Sequence, residues 1–131
     1  MKMQLALLCM GLCSCFVPML SAQDAVKADP KHYTVVSEND QVRILKVHYG
    51  PHEKSVMHSH PNTVAVFLND AKVKFSYEGG KTEEAAAKAG DAQYRPATVH
   101  LPENTGDTEM NVIVVELKGK STKADKAAKK Q

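Results

Sequence analysis

Short runs rich in Val, Ile, Leu, Thr and Phe, each broken by Gly, Asn, Asp or Pro, follow one another from Val42 to Leu117. Such runs are too short for stable isolated helices, and their β-branched content suits half-buried strands. Residues 42–49 interleave Arg43, Lys46 and His48 among apolar neighbours. Residues 63–68 end in Asn69-Asp70, a pair that tolerates the positive φ of a tight hairpin. Residues 72–77 alternate, with Val73, Phe75 and Tyr77 on one face and Lys72, Lys74 and Ser76 on the other. The exit through Glu78-Gly79-Gly80-Lys81 is a second hairpin signal, and residues 110–117 provide a closing strand. Only residues 82–88, with Ala85-Ala86-Ala87, favour a helix by propensity; a segment this short is marginal as one and is read as an edge strand. The pattern predicts an all-β sandwich or barrel. Val64, Val66, Leu68, Val73, Phe75, Val112, Val114 and Leu117 are the expected core, with Ala65 and Phe67 facing the opposite way.

A chain of 131 residues has room for a single domain of this kind. Its ends differ from its body. Residues 1–22 carry one early charge, Lys2, then an apolar run and a small-residue exit at Ser21-Ala22, which is the order of a secretory signal peptide cleaved before Gln23. A permanent membrane anchor is the competing reading, disfavoured because Gly11 and Pro18 interrupt the run. Cys9, Cys13 and Cys15 all lie inside this segment, so the mature chain would have neither a disulfide nor a cysteine nucleophile. Lipidation at Cys15 is an alternative fate, although Cys13 stands where a lipobox wants a small residue. The expected organisation is signal peptide 1–22, linker 23–31, barrel 32–117 and a disordered Lys-rich tail 118–131. Residues 23–117 carry ten basic and fourteen acidic side chains, whereas residues 118–131 carry six Lys and one Asp. With an acidic body lacking a basic patch or aromatic platform, no nucleic-acid partner is expected, nor stable membrane insertion once the signal is removed. The tail reads as a solubilising segment.

Of the six histidines, His58 and His60 stand out. In a strand, alternate side chains share a face, so both imidazoles of His58-Ser59-His60 project together and could share one metal ion. An isolated H-x-H pair is a weak signal, since in a loop it is more often solvated surface.

The surrounding pattern is similar to the two motifs of the cupin family. Gly50, Pro51 and His52 lead to His58 and His60, then Gly90-Asp91, Pro96, His100 and Asn104 follow in the family's order. The sequence departs from the strict pattern at Gly50, which lies further from His58, at His100, which comes one residue early, and at Thr98, which replaces a Gly. The family's Glu ligand would fall at Ala65 or Val64, and neither can bind a metal. The resemblance implies a jelly-roll-like double-stranded β-barrel holding one divalent transition metal through His58 and His60 on one strand and His100 on a facing strand. Fe(II) is the first choice, with Ni, Cu, Zn or Mn as alternatives.

Without a carboxylate, three neutral imidazoles leave the ion's full charge, which favours a small anionic chelating ligand. Three-His cupins include Fe(II) dioxygenases, and that resemblance implies metal-dependent oxidoreductase chemistry here; a non-catalytic module binding a metal or small anion is the alternative, and a metal-free barrel a third reading. Glu53 and Glu103 are candidates for a fourth ligand or proton acceptor, against the plainer reading of solvated loop carboxylates. Gln93, Tyr94 and Arg95 lead into Pro96 and are candidates for substrate binding, Arg95 above all because guanidinium pairs bidentately with carboxylate. His32, His48 and His52 are read as non-ligands, with His52 the one that could stand at the cavity mouth. A homodimer is expected by resemblance.

Overall fold

The computed structural model describes residues 22–119. All but the last residue of the expected signal peptide, its cysteines, and all but the first two residues of the expected tail therefore lie outside the described residues. Within them the chain forms nine strands: β1 (Tyr33–Glu38), β2 (Val42–Tyr49), β3 (His58–His60), β4 (Thr63–Phe67), β5 (Ala71–Tyr77), β6 (Thr82–Ala87), β7 (Ala92–Arg95), β8 (Thr98–Asn104) and β9 (Met110–Leu117). They make two antiparallel sheets, one ordered β1-β2-β9-β4-β7 and one ordered β3-β8-β5-β6. The core lies between them, built from Leu45, Val47 and Tyr49 of β2, Phe67 of β4, Val73 and Phe75 of β5, and Met110 and Val112 of β9. This is the all-β fold that the strand spacing predicts, in the jelly-roll-like form that the resemblance implies. No helix among the described residues is long and apolar enough to cross a membrane.

The Ala-rich segment is an edge strand, as expected: β6 pairs with β5 through the turn at Gly79 and Gly80, whose φ values of 82° and 85° lie in the region that favours glycine. Asn69-Asp70 is not a hairpin. It carries the chain from β4 in one sheet to β5 in the other, and His52 is the one non-glycine residue with positive φ among those described. The Asn69 side chain instead fixes this corner, its Nδ2 donating to Glu109 O (2.6 Å) and its Oδ1 accepting from Asn111 N (2.8 Å).

Strand β4 faces the opposite way from the expectation. Thr63, Ala65 and Phe67 point inward, while Val64 and Val66 are half-buried on the outer side and Leu68 is 53% exposed. The outer face explains the inversion: Val64 neighbours Val115, which neighbours Ile44, so β-branched residues cover that side of the sheet too. In β9, Met110, Val112, Val114 and Glu116 alternate inward, which leaves Leu117 with the outer set. Arg43 likewise joins the inward parity of Leu45, Val47 and Tyr49.

Residues 23–31, expected as a linker, are packed on the barrel. A one-turn helix, α1 (Ala25–Ala28), is capped by Asp24 and buries Ala25 completely. Asp24 bridges to Ser59 of β3, whose N–H donates to Gln23 O (2.8 Å). At the opposite end, the two motif residues Gly50 and Asn104 meet: Asn104 is 1% exposed, and its Nδ2 donates to Gly50 O (2.9 Å) and Thr108 O (2.8 Å). A side chain at Gly50 would press on the Glu53 carboxyl, which the Gly50 N–H already binds (2.8 Å).

Candidate metal centre

β3 is only three residues long, yet it presents two imidazoles to the interior because its alternation puts Ser59 outside. Antiparallel pairing with β8 sets His100 directly opposite His58. His100 thus stands on the adjacent strand of the same sheet, not on a facing one as expected; the ladder itself brings the third ring in. His58, His60 and His100 are 0%, 8% and 6% exposed, and one ring nitrogen from each lies within 4.8 Å of the others.

The hydrogen bonds fix where the protons sit. His58 Nδ1 lies 2.8 Å from Val56 O, an acceptor only, so this nitrogen donates. His60 Nδ1 lies 2.7 Å from Glu116 Oε1, and it too donates. Burial pushes the Glu116 carboxyl upward, but His60 and Arg43 outweigh it and hold the group below its ordinary value, an ionised acceptor. In the neutral rings both Nε2 atoms then carry lone pairs, and they lie 3.1 Å apart, close enough to share a cation or a proton. Burial, reinforced by His60, depresses the His58 pKa to about 4, and burial with the charges of His60, His58 and Arg95 depresses that of His100 to about 3. Neither of these two rings takes up a proton near neutrality. His100 has no partner at all for either ring nitrogen.

Such an arrangement fits a cation. Two nitrogens each about 2.1 Å from one ion stand about 3.0–3.4 Å apart for angles between right and tetrahedral, and the separation here is 3.1 Å. The donor set is imidazole only. Ala65, where the resemblance places the Glu ligand, faces inward from the opposite sheet and contributes a methyl group to the cavity wall.

Behind the rings stand residues that the sequence reading missed. Glu116, 2% exposed, accepts from His60 with one oxygen and from Arg43 Nε with the other (2.5 Å); Arg43 also binds Asp24 through Nη2. Behind His58, Ser55 Oγ lies 3.2 Å from Nδ1 and donates to Asp29 Oδ2 (2.5 Å), which in turn meets His32 Nδ1 (2.7 Å). Parity was the available signal for Glu116, since it shares the alternation of Val112 and Val114. Asp29 carried no such signal, because it lies before the first strand.

A cavity of about 60 Å³ adjoins His60 and His100. Its wall is mostly apolar, from Val47, Phe67, Val73, Phe75 and Val112, with Tyr33, Tyr49, Thr63 and Arg95 as polar elements. Tyr49 OH donates to Tyr33 OH (2.9 Å) inside it, and burial keeps the Tyr33 phenol well above its usual range, hence protonated. The Arg95 guanidinium lies 4.4 Å over the Phe75 ring and donates to Gln93 Oε1 (3.2 Å), so its charge meets two uncharged neighbours there. Tyr94, with opposite parity on β7, is 52% exposed.

Glu53 and Glu103 are not brought to the three rings. Glu53 binds Lys31 Nζ (2.5 Å), His32 Nε2 (3.1 Å) and the Gly50 N–H, and reaches His58 only through His32, Asp29 and Ser55. Glu103 alternates outward on β8, opposite in parity to His100. His32 is buried and stacks on Tyr49 (centroids 4.2 Å apart), whereas His48 meets Asn111 (2.9 Å) and His52 meets Asp107 (2.8 Å) at the surface.

No protein-family model matches the chain, and no curated protein matches it. Solved structures do. A cupin domain from Bordetella pertussis Tohama I shares 22% identity at a TM-score of 0.62, over 76% of this chain and 99% of that one. A double-stranded β-helix protein from Klebsiella pneumoniae shares 22% identity at 0.55, over 69% and 78%. A DMSP lyase from Ruegeria pomeroyi shares 16% at 0.50, over 72% of this chain and 51% of that one. At these identities the likeness establishes the fold, a cupin double-stranded β-barrel.

Proposed function

We propose that this cupin barrel is an exported metalloprotein that holds one divalent transition ion on His58, His60 and His100 and binds a small anionic chelating ligand beside it. The observation that carries the reading is the pair of Nε2 lone pairs facing each other at 3.1 Å, with both Nδ1 protons already committed elsewhere. Two such nitrogens need a cation or a proton between them, and the third imidazole beside them has no partner for either nitrogen in this buried site. Fe(II) is the first assignment, with Ni, Cu, Zn and Mn as alternatives, and the reaction class is that of a three-His dioxygenase. When bound, the ion would supply a Lewis-acidic, redox-capable centre with open positions. The protein's own part is then specific. Arg95 orients the ligand's carboxylate or enolate, Tyr33 offers a phenolic proton donor inside the cavity, and the apolar wall excludes water.

The test has two stages. Protein purified without a polyhistidine tag should contain close to one equivalent of transition metal; less than a tenth of an equivalent, also after incubation with each candidate ion, refutes the metal assignment. Oxygen uptake by Fe(II)-loaded protein is then followed against β-dicarbonyls, phenols and small thiols. The cavity's small volume, about 60 Å³, favours a second reading, a non-catalytic binder of a small anion. Ligand-induced spectral change without oxygen uptake selects that reading.

Export rests on the signal-like order of residues 1–22. Cleavage after Ala22 would remove the bond from Ser59 Oγ to Ala22 O (3.1 Å) and leave those of Gln23 and Asp24 to Ser59 and Arg43 in place. Mass spectrometry of protein from a periplasmic or secreted fraction should give a chain beginning at Gln23. The half-buried row Ile44, Val115 and Val64, which continues to exposed Tyr94, supports a homodimer through this outer face, to be measured by sedimentation.

A further inference from the structure

We infer that Glu116 replaces, from behind His60, the negative charge and ligand-strengthening effect of the carboxylate that the metal site itself lacks; this rests on the metal reading above. The juxtaposition is in the strand register. Ala65, the inward residue at the expected ligand position, pairs with Val114, and Glu116 is the next inward residue along β9, opposite Thr63. A carboxylate is thus retained at this end of the barrel, one residue pair along and on the neighbouring strand. It is 2% exposed, and both of its oxygens are engaged, by His60 Nδ1 at 2.7 Å and by Arg43 Nε at 2.5 Å.

Charge in the network gives the direction of the effect. Asp24 and Glu116 share the single Arg43 guanidinium, so the group behind His60 carries one net negative charge. A carboxylate that accepts the Nδ1 proton of an imidazole raises the basicity of its Nε2 and locks the ring's tautomer. The three rings are therefore graded. His60 is backed by a carboxylate, His58 by the neutral carbonyl of Val56 with Ser55, and His100 by nothing. Glu116 is a positioning residue, and its charge matters apart from its hydrogen bond.

Substitution separates these contributions. In Glu116→Gln the hydrogen-bonding shape is kept and the charge is lost; Zn(II) binding, measured by competition with a chromophoric chelator on the untagged chain, should weaken about 10–100-fold. Glu116→Asp should recover most of that affinity. Asp24→Asn keeps the helix cap, leaves the His60 bond untouched and makes the network neutral, so it should weaken Zn(II) binding by a smaller factor. That variant decides the matter if Glu116→Gln does not fold. In ¹⁵N-histidine spectra of metal-free protein, the His60 proton should sit on Nδ1 in the parent and redistribute in Glu116→Gln, a signature that a merely structural role would not move. If the parent binds Zn(II) and Glu116→Gln binds it within twofold, with Asp24→Asn unchanged, the inference is overturned and the metal reading stands. If the parent binds no Zn(II), both fall.

Discussion

Replacing His100 by Leu should make the metal-free protein more stable while abolishing its metal binding. In the fold, His100 is 6% exposed and both of its ring nitrogens lack partners. A buried polar group left unsatisfied costs about 1–3 kcal/mol. Leu removes that penalty at similar volume, while the stacking of the ring on Phe75, at 5.2 Å and 18°, is lost. Such ring pairs contribute about 0.5–1.5 kcal/mol. The net expectation is a gain of about 1 kcal/mol, or a melting temperature about 4–8 °C higher for a domain of this size. Metal should reverse the order. At an ion concentration of about 100 times the dissociation constant, binding adds about 2.7 kcal/mol to the parent and nothing to the variant. The chain has no Trp, so calorimetry or circular dichroism is the suitable readout, on untagged protein with and without Zn(II). A metal-free Leu variant that melts below the parent refutes the reasoning, because it would mean that His100 is satisfied in solution.

Acid should destabilise the metal-free barrel through the same rings. The folded-state values of His58 and His100, about 4 and about 3, lie below the value near 6.5 expected when unfolded. The unfolded chain then binds more protons below that pH, so stability is unaffected above it and falls as pH drops from about 6.5 toward 4. Denaturant midpoints at pH 7.5, 6 and 5 should decline in that order, and a flat series would contradict the depressed values. Arg95→Gln should weaken binding of small carboxylates to the metal-loaded protein by about tenfold or more while leaving Zn(II) affinity within twofold, as calorimetric titration of each ligand would reveal. Gly79→Ala should cost about 1–2 kcal/mol because φ is 82° there, although the position is open; an unchanged denaturation midpoint would mean that the turn relaxes.

Alternation and turn chemistry made the all-β fold legible in the sequence, including the Ala-rich edge strand, where shortness outweighed helix propensity. It failed at β4 because both faces of that strand are apolar, and the inner face takes the smaller residues, Thr63 and Ala65, where it borders the cavity. Asn69-Asp70 was misread for a related reason. A residue pair suited to a hairpin is equally suited to a corner, and only the sheet order distinguishes them. The H-x-H spacing located His58 and His60, and the second motif located His100. What lies behind the rings was less accessible. Arg43 and Glu116 drew no site assignment from the sequence, although each sits at an inward parity position and they pair across β2 and β9. Asp29 reaches Ser55 over 26 residues of chain, a contact that no local pattern encodes.

The way the chain enters the fold gives Ser59 a use of its own. Its side chain points away from the rings, and its N–H is spent on Gln23 O while its neighbours His58 and His60 pair with β8. The residue is in effect a rivet joining the chain's first described residues to the ligand strand. Its amide hydrogen should exchange with solvent only when residues 22–29 lift off, so one resonance gauges whether the start of the chain is seated. A fusion partner or retained leader that pulls on Gln23 would speed that exchange before it disturbed any ligand. The site can thereby be monitored from its outer side in protein that has never seen metal.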